Sequence, residues 1–275
     1  MQQVKLKLKK YNVFNFFYHS YFPVNFKAET FPKIFGCFCE GGVITGNLEN
    51  GSKLKIDNKQ VEVFEKGIFI YAFGRKYKDN VKIEINDKVK KFTVSKKKYK
   101  IENIKGLPRE KVEPSKEDLN KIISDQNKIK KAKLIGYKTR LFNEKFILPS
   151  KGRMSGFYGS QRILNSKPRR PHAGIDIAAK EGTRVVAPSS GIIKLVEEDM
   201  FFTGNTVIMD HGLGLISIFA HLKEVFVVEG EKVLQGQKIG SIGMTGRATG
   251  PHLHWGVYLN NTSVDPEVLL KYELN

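Results

Sequence analysis

The sequence predicts a mainly β protein, in which a small β-sandwich and a helical connector precede a C-terminal antiparallel β domain. Two observations predict this class. Short apolar runs, such as residues 68–73 and 215–220, alternate with turn-forming residues through 41–98 and 146–275. Apolar residues at helical spacing from Leu119 to Leu134 instead indicate a helical connector over residues 99–145. A chain of 275 residues has room for two modest domains.

Residues 1–40 form an N-terminal segment with a possible export signal. Four lysines before position 11 precede an aromatic run over residues 11–24, in the order of a signal peptide's charged and apolar regions. Polar residues and Pro23 interrupt this run, so its apolar core is poor. Cys37 and Cys39 are too close in sequence to predict a disulfide reliably. His19 has no partner phrase nearby and is assigned no function.

Residues 41–98 are expected to form the small β-sandwich. Six or seven short alternating runs fall within about sixty residues, separated by turns such as Asn50-Gly51 and Asp57-Asn58.

Residues 99–145 are expected to form the helical connector. Ser115 and Asp118 fit the N-cap and N3 positions of a helix start. The apolar residues that follow predict one face packed on a neighbour; they are Leu119, Ile122, Ile123, Ile129 and Leu134.

Residues 146–275 contain histidine phrases with the spacing of a metal site. His172 and Asp176 form a His-x-x-x-Asp phrase, and about eighty residues later His252 and His254 form a His-x-His phrase, with His221 between them. Imidazole nitrogens with one carboxylate oxygen suit Zn²⁺. Three protein ligands with an open fourth position would make such a site catalytic.

Residues 252–259 are predicted to be a strand, because aromatic and β-branched residues follow a turn-forming run. Residues i and i+2 of a strand point to the same face, so His252 and His254 project into one space. Both could bind metal, or one could bind it while the other handles the proton of a bound water. A surface pair on a strand edge is the alternative, and the other histidine phrases argue against it.

Residues 146–275 resemble the lysostaphin/LytM-type zinc metallopeptidases, which cut the peptide cross-links of bacterial peptidoglycan. Residues 41–98 resemble the immunoglobulin-like modules that precede the peptidase in some Gram-negative members. Phe219 stands where the family often has Tyr. The peptidase resemblance rests on phrases in family order, namely residues 152–159, His172/Asp176, residues 187–191, 210–212 and 219–222, and Thr245-Gly246 leading into His252-x-His254.

This resemblance implies one Zn²⁺ ion held by His172, Asp176 and His254, with His221 and His252 as unligated catalytic histidines. His252 is the candidate general base, and His221 would bind the oxyanion or protonate the leaving amine, although the sequence does not distinguish the two roles. Segments ahead of the peptidase sometimes cover the groove in this family, so the connector could inhibit the enzyme.

Three further residues near these phrases are open to more than one interpretation. His211 is expected to be structural, with a substrate-side role as the alternative. Asp210 or Asp265 could orient a ligand imidazole, because metal-bound histidines usually donate their second N–H to a carboxylate or carbonyl.

The net charge of +19 is concentrated in the first half of the chain: residues 1–145 carry +17 and residues 146–275 carry +2. The basic part could hold the protein against an anionic envelope surface, and a lysine bias that only gives solubility is the alternative. Nucleic acid is not expected as a partner, because the basic residues are mostly lysines scattered through β-like sequence. No obligate protein partner is evident.

The sequence therefore predicts a zinc endopeptidase of the bacterial periplasm or cell envelope, with membrane anchoring at the N-terminus left open. Resemblance to Gram-negative members favours the D-alanyl–diaminopimelate cross-link, the substrate of a D,D-endopeptidase, over a glycine bridge. Two alternatives remain. One is a non-catalytic wall-binding or amidase-activating module, although such members typically lack zinc ligands. The other is a general metalloprotease acting on proteins, or a carboxypeptidase that trims uncross-linked stem peptides.

Overall fold

Strands outnumber helices among the described residues, so the predicted mainly β class is confirmed. The computed structural model describes residues 31–134 and 136–274. Residues 1–30 of the predicted export segment lie outside the described residues. Among the helices of the described residues, none has the length and apolar character needed to cross a membrane.

Two antiparallel sheets form the N-terminal part. Their strands are β1 (Phe35–Gly36), β2 (Val43–Asn47), β3 (Leu54–Ile56), β4 (Lys59–Val61), β5 (Ile68–Ala72), β6 (Asn80–Ile85) and β7 (Lys88–Thr93). One sheet has the order β1-β2-β5 and the other the order β4-β3-β6-β7. Phe38 stacks on Phe92 of β7 at 4.5 Å and contacts Phe73, just after β5, at 5.7 Å. Aromatic contacts thus join the two sheets, as expected for a small sandwich.

Cys37 and Cys39 form a disulfide, which the sequence did not predict. Two backbone hydrogen bonds fold the segment between β1 and β2 into a tight loop, from Cys37 N to Val43 O and from Gly42 N to Cys39 O. The loop places the two cysteines side by side. Sequence spacing alone carries no sign of that loop.

The connector contains a strand as well as helices, which corrects the purely helical prediction. Its elements are β8 (Ile101–Ile104), α1 (Arg109–Val112) and α2 (Lys116–Lys133). Ser115 caps α2 as predicted, because its hydroxyl accepts a hydrogen bond from Asp118 N and the Asp118 carboxylate accepts one from Ser115 N, both at 3.1 Å.

The predicted apolar face of α2 is wrong in part. Ile122 is buried, but Leu119, Ile123 and Leu134 are exposed. Polar contacts also hold α2 against the neighbouring sheet, since the buried Asp125 accepts a hydrogen bond from Phe201 N at 2.7 Å.

The C-terminal part is a ten-stranded sheet beside a smaller three-stranded one. Its elements are β9 (Arg153–Gly156), β10 (Gln161–Leu164), β11 (Lys167–Pro168), β12 (Gly174–Ala178), β13 (Arg184–Val186), β14 (Gly191–Met200), β15 (Gly204–Asp210), β16 (Leu215–Val225), β17 (Lys232–Val233), β18 (Lys238–Ile242), β19 (His252–Leu259), β20 (Thr262–Val264) and α3 (Pro266–Lys271). The large sheet has the order β17-β14-β15-β16-β19-β12-β9, with β13, β18 and β20 attached to it. In the small sheet β10 pairs with β11 and, in parallel, with connector strand β8.

The core of the large sheet also includes residues from the N-terminal sheets. Trp255 and Phe219 are fully buried in it, and Val43 of β2 and Ile70 of β5 belong to the same buried cluster. Asp265 N donates to Gly41 O at 2.8 Å across this contact. The N-terminal sheets therefore pack directly on the C-terminal sheet, and the boundaries at 40, 98 and 145 stay a prediction.

Candidate metal centre

His172, Asp176 and His254 meet at the pairing of β12 with β19. The two strands are antiparallel, with Asp176 directly opposite His254. His172 lies just before β12, in a loop fixed by hydrogen bonds from His172 N to Ser160 O and from Gly159 N to His172 O. Sheet pairing thus brings together two phrases that are far apart in sequence.

Three donor atoms of this group converge on one point. Asp176 Oδ1 lies 3.0 Å from His172 Nε2 and 2.8 Å from His254 Nδ1, and the two nitrogens are 2.9 Å apart. A tetrahedral zinc ion holds N and O ligands at about 2.0–2.2 Å, which sets the donors roughly 3.4 Å apart. The three groups need to open by only about half an ångström to fit a zinc ion.

The charge state of the group also suits a metal. Burial would raise the pKa of Asp176, but the adjacent His172 and His254 side chains hold it well below its usual range. Burial lowers the pKa of His254 to about 4, against the opposing effect of Asp176. Metal ligands must be deprotonated, so a carboxylate beside a neutral imidazole is ready to bind.

Neighbouring groups fix the orientation of two of these side chains. His172 Nδ1 donates to the carbonyl of Phe157 at 3.2 Å, which leaves its Nε2 as the metal-facing nitrogen. Arg162 Nη2 donates to Asp176 Oδ2, and Arg162 Nε donates to Glu102 of β8 at 3.4 Å. Sequence reasoning missed Arg162, Glu102 and the Phe157 carbonyl.

His221 and His252 lie beside this group, with ring centroids 4.6 Å apart, and His221 is 6.3 Å from His254. His221 Nδ1 donates to Thr245 O and His252 Nδ1 donates to Gly250 O, each at 2.8 Å. A carbonyl only accepts, so each Nδ1 carries a hydrogen, and Nε2 is left as the nitrogen that can accept a proton.

His221 occupies an unusual backbone conformation. Its φ is 63°, and the pairing of β16 with β18 shifts register just after it. Such a conformation costs energy in a residue with a Cβ and often marks a functional position. Burial, with the nearby His252 and His254, lowers the pKa of His221 to about 3, so its ring is neutral at pH 7.

The remaining sequence candidates lie elsewhere. His211 is buried; its Nδ1 donates to Ser190 O at 2.9 Å, and its Nε2 accepts from Ser217 Oγ at 2.8 Å. Asp210 accepts hydrogen bonds from Tyr137 N and Gly212 N, and Asp265 caps α3 and pairs with Lys97. Neither carboxylate orients a histidine of the metal centre.

The metal centre opens into two adjoining cavities of about 480 and 520 Å³. The first is lined by Asp176, His221 and His252, and the second by His172, His221 and His254. Connector residues 102–104 and Leu107 form part of the first wall. The arrangement can bind an extended ligand on both sides of a metal ion.

The model of peptidase family M23 matches residues 170–266, which include all five residues of the centre. ShyA of Vibrio cholerae, a peptidoglycan DD-endopeptidase, is 33% identical over 123 residues, which are 44% of this chain and 28% of that protein. Mpg of Neisseria meningitidis, a DD-carboxypeptidase/endopeptidase, is 41% identical over 97 residues, which are 35% of this chain and 22% of that protein. The matched segments thus span less than a third of these relatives.

A crystal structure from Pseudomonas aeruginosa assigned to peptidase M23 is 31% identical to this chain and has a TM-score of 0.65. The similarity covers 84% of this chain and 94% of that one. It therefore extends well beyond residues 170–266.

Proposed function

The chain belongs to peptidase family M23, and we propose that it is a zinc-dependent endopeptidase that hydrolyses the peptide cross-links of bacterial peptidoglycan. The convergence of His172, Asp176 and His254 on one point, beside two further imidazoles, carries this proposal. The cross-link is proposed to be D-alanyl–diaminopimelate. The name of ShyA, a peptidoglycan DD-endopeptidase, and that of Mpg, a DD-carboxypeptidase/endopeptidase, support that choice.

His172, Asp176 and His254 would hold the zinc ion, which when bound supplies a water of lowered pKa and a Lewis acid for the scissile carbonyl. His252 Nε2 is proposed to accept a proton from the attacking water, since its Nδ1 is committed to the Gly250 carbonyl. The proton taken from the water would then be delivered to the leaving amine. His221, which is neutral at pH 7 in the free chain, would donate from Nε2 to the oxyanion or to that amine only when it carries this proton. The two histidines have equivalent hydrogen bonds, so their roles could be exchanged.

The proposed location is the periplasm or cell envelope of a bacterium, where the substrate lies. The net charge of +17 in residues 1–145 supports attachment to an anionic envelope surface. Binding to isolated wall at increasing salt concentration tests this part, because surface attraction of this kind is screened by salt.

Digestion of purified sacculi by the zinc-loaded chain tests the activity, with chromatography of the released muropeptides as the readout. Loss of cross-linked dimers should match a gain of tetrapeptide monomers. A chelator and His254→Ala should each abolish the change. Intact dimers despite one bound zinc per chain would contradict the proposal, and equally fast digestion of casein would indicate a general metalloprotease.

A further inference from the structure

The walls of the two cavities carry more arginines than acids. The charged lining residues are Arg153, Arg162, Arg169, Arg170 and Arg247 against Glu102 and Asp176. The lining is therefore net positive before any metal ion is counted. Substrate groups that enter this cleft meet a field that favours anions.

Arg162 donates hydrogen bonds to both of these acids, Asp176 and Glu102. Arg169 contacts neutral acceptors, namely Pro168 O at 3.0 Å from Nη1 and Val112 O at 2.7 Å from Nη2. Those contacts hold the guanidinium of Arg169 in place without neutralising its charge. Its charge remains available to an anion in the cleft.

Arg247 is held at the wall that the two cavities share. Its backbone N donates to Phe202 O at 2.9 Å, and its guanidinium carbon lies 4.3 Å from the centroid of the Phe202 ring. That ring packs edge-on against Phe201 at 4.9 Å. Burial, with the charges of Arg162 and Arg169, lowers the pKa of Arg247 to about 10, so it stays cationic at pH 7. A guanidinium fixed in this way loses little freedom on binding a carboxylate.

We propose that Arg247, assisted by Arg169, forms a carboxylate-binding subsite beside the metal centre. It selects peptides that carry a free carboxylate within one residue of the scissile amide. This inference rests on the proposed function and narrows its substrate class. In a D-alanyl–diaminopimelate cross-link, the carbon bearing the scissile nitrogen also bears a free carboxylate, whereas a glycine bridge has none there. Planar bidentate recognition of a carboxylate is the chemistry that arginine favours.

Two soluble acyl-D-alanyl–diaminopimelate peptides test the subsite. They differ only at the carboxyl group beside the scissile nitrogen, which is free in one and a carboxamide in the other. The zinc-loaded native chain should prefer the free carboxylate in kcat/KM by roughly 10- to 100-fold, the range of a charge-assisted hydrogen bond. Arg247→Gln should reduce this ratio to below about threefold, and Arg247→Lys should give an intermediate value.

Arg184→Gln is the matched control, because Arg184 is an exposed arginine that lines neither cavity. It should leave the ratio unchanged. If Arg247→Gln does not fold or bind zinc, Arg169→Gln gives the same test. A native chain that cleaves both peptides equally well, or a variant that keeps the full ratio, overturns the subsite but not the peptidase. A native chain that cleaves neither peptide and leaves sacculi intact overturns the proposed function itself.

Discussion

Arg162 donates a hydrogen bond to Oδ2 of Asp176, while Oδ1 of the same carboxylate faces His172 and His254. The arginine thus fixes which oxygen points at the metal centre. Groups that orient a ligand in this way typically change metal affinity 10- to 100-fold when removed.

Arg162→Gln should therefore weaken zinc binding by roughly 10- to 100-fold, measured by competition with a chromogenic chelator. A purely electrostatic effect has the opposite sign, because removing a positive charge near a cation favours its binding. Arg153→Gln is the control, since Arg153 is an exposed arginine of the same cavity wall. It should leave zinc affinity unchanged or raise it slightly. Equal affinity in Arg162→Gln and the native chain would show that Arg162 does not position Asp176.

Zinc content should divide the five residues of the centre into two groups. Alanine at His172, Asp176 or His254 should abolish stoichiometric zinc, because two remaining donors cannot hold a tetrahedral ion tightly. Alanine at His221 or His252 should keep the zinc and lower the rate of sacculus digestion by about 10²–10⁴-fold, the range of general acid–base catalysis. Metal analysis beside the digestion assay checks both groups. A zinc-free His252→Ala protein would make His252 a ligand.

Acid should remove the stabilisation that the neutral His211 provides. Burial lowers the pKa of His211 to about 4 in the folded chain, against an ordinary value of 6.5. Between pH 6.5 and 4 the unfolded chain therefore binds a proton that the folded chain does not. This contribution is complete above pH 6.5 and falls by about 3 kcal/mol as the pH drops to 4.

Denaturant unfolding of zinc-free native and His211→Gln proteins across this pH range measures the effect. The stability difference between the two proteins should shrink by about 3 kcal/mol from pH 7 to pH 4. Other groups that titrate in this range are common to both proteins and cancel. A pH-independent difference would mean that His211 is not held neutral by its burial.

Only part of the five-residue centre follows from a local rule of the sequence, and the full set of five positions was implied by the family resemblance. His252 and His254 share a strand face, and antiparallel pairing then places Asp176 opposite His254. The carbonyls of Phe157 and Gly250, which orient two of the imidazoles, belong to the backbone and leave no mark on residue identity.

The connector departs from its prediction for a tertiary reason. Residues 101–104 extend because β10 of the C-terminal part offers a parallel partner strand. The contact between Glu102 and Arg162 follows from that pairing, which joins segments about sixty residues apart. The spacing of apolar residues within the connector carries no information about a partner strand from another part of the chain. The sequence therefore predicted a helical connector and no strand.

The connector should restrict access of large substrates to the cleft. Leu107 packs with Val112 and with Leu164 of β10 in a small buried cluster, and Leu107 also lines the first cavity. Leu107→Asp would place a charge in that cluster and release the connector from β10, since burying an unpaired charge is costly. The zinc-loaded variant should digest sacculi several-fold faster than the native chain, while hydrolysis of a small soluble peptide changes less. Ile101→Asp is the matched control, because Ile101 is 65% exposed on the same segment and should leave both rates unchanged. If Leu107→Asp keeps its zinc and its fold and digests sacculi no faster, the connector is part of the binding wall rather than an obstacle to the substrate.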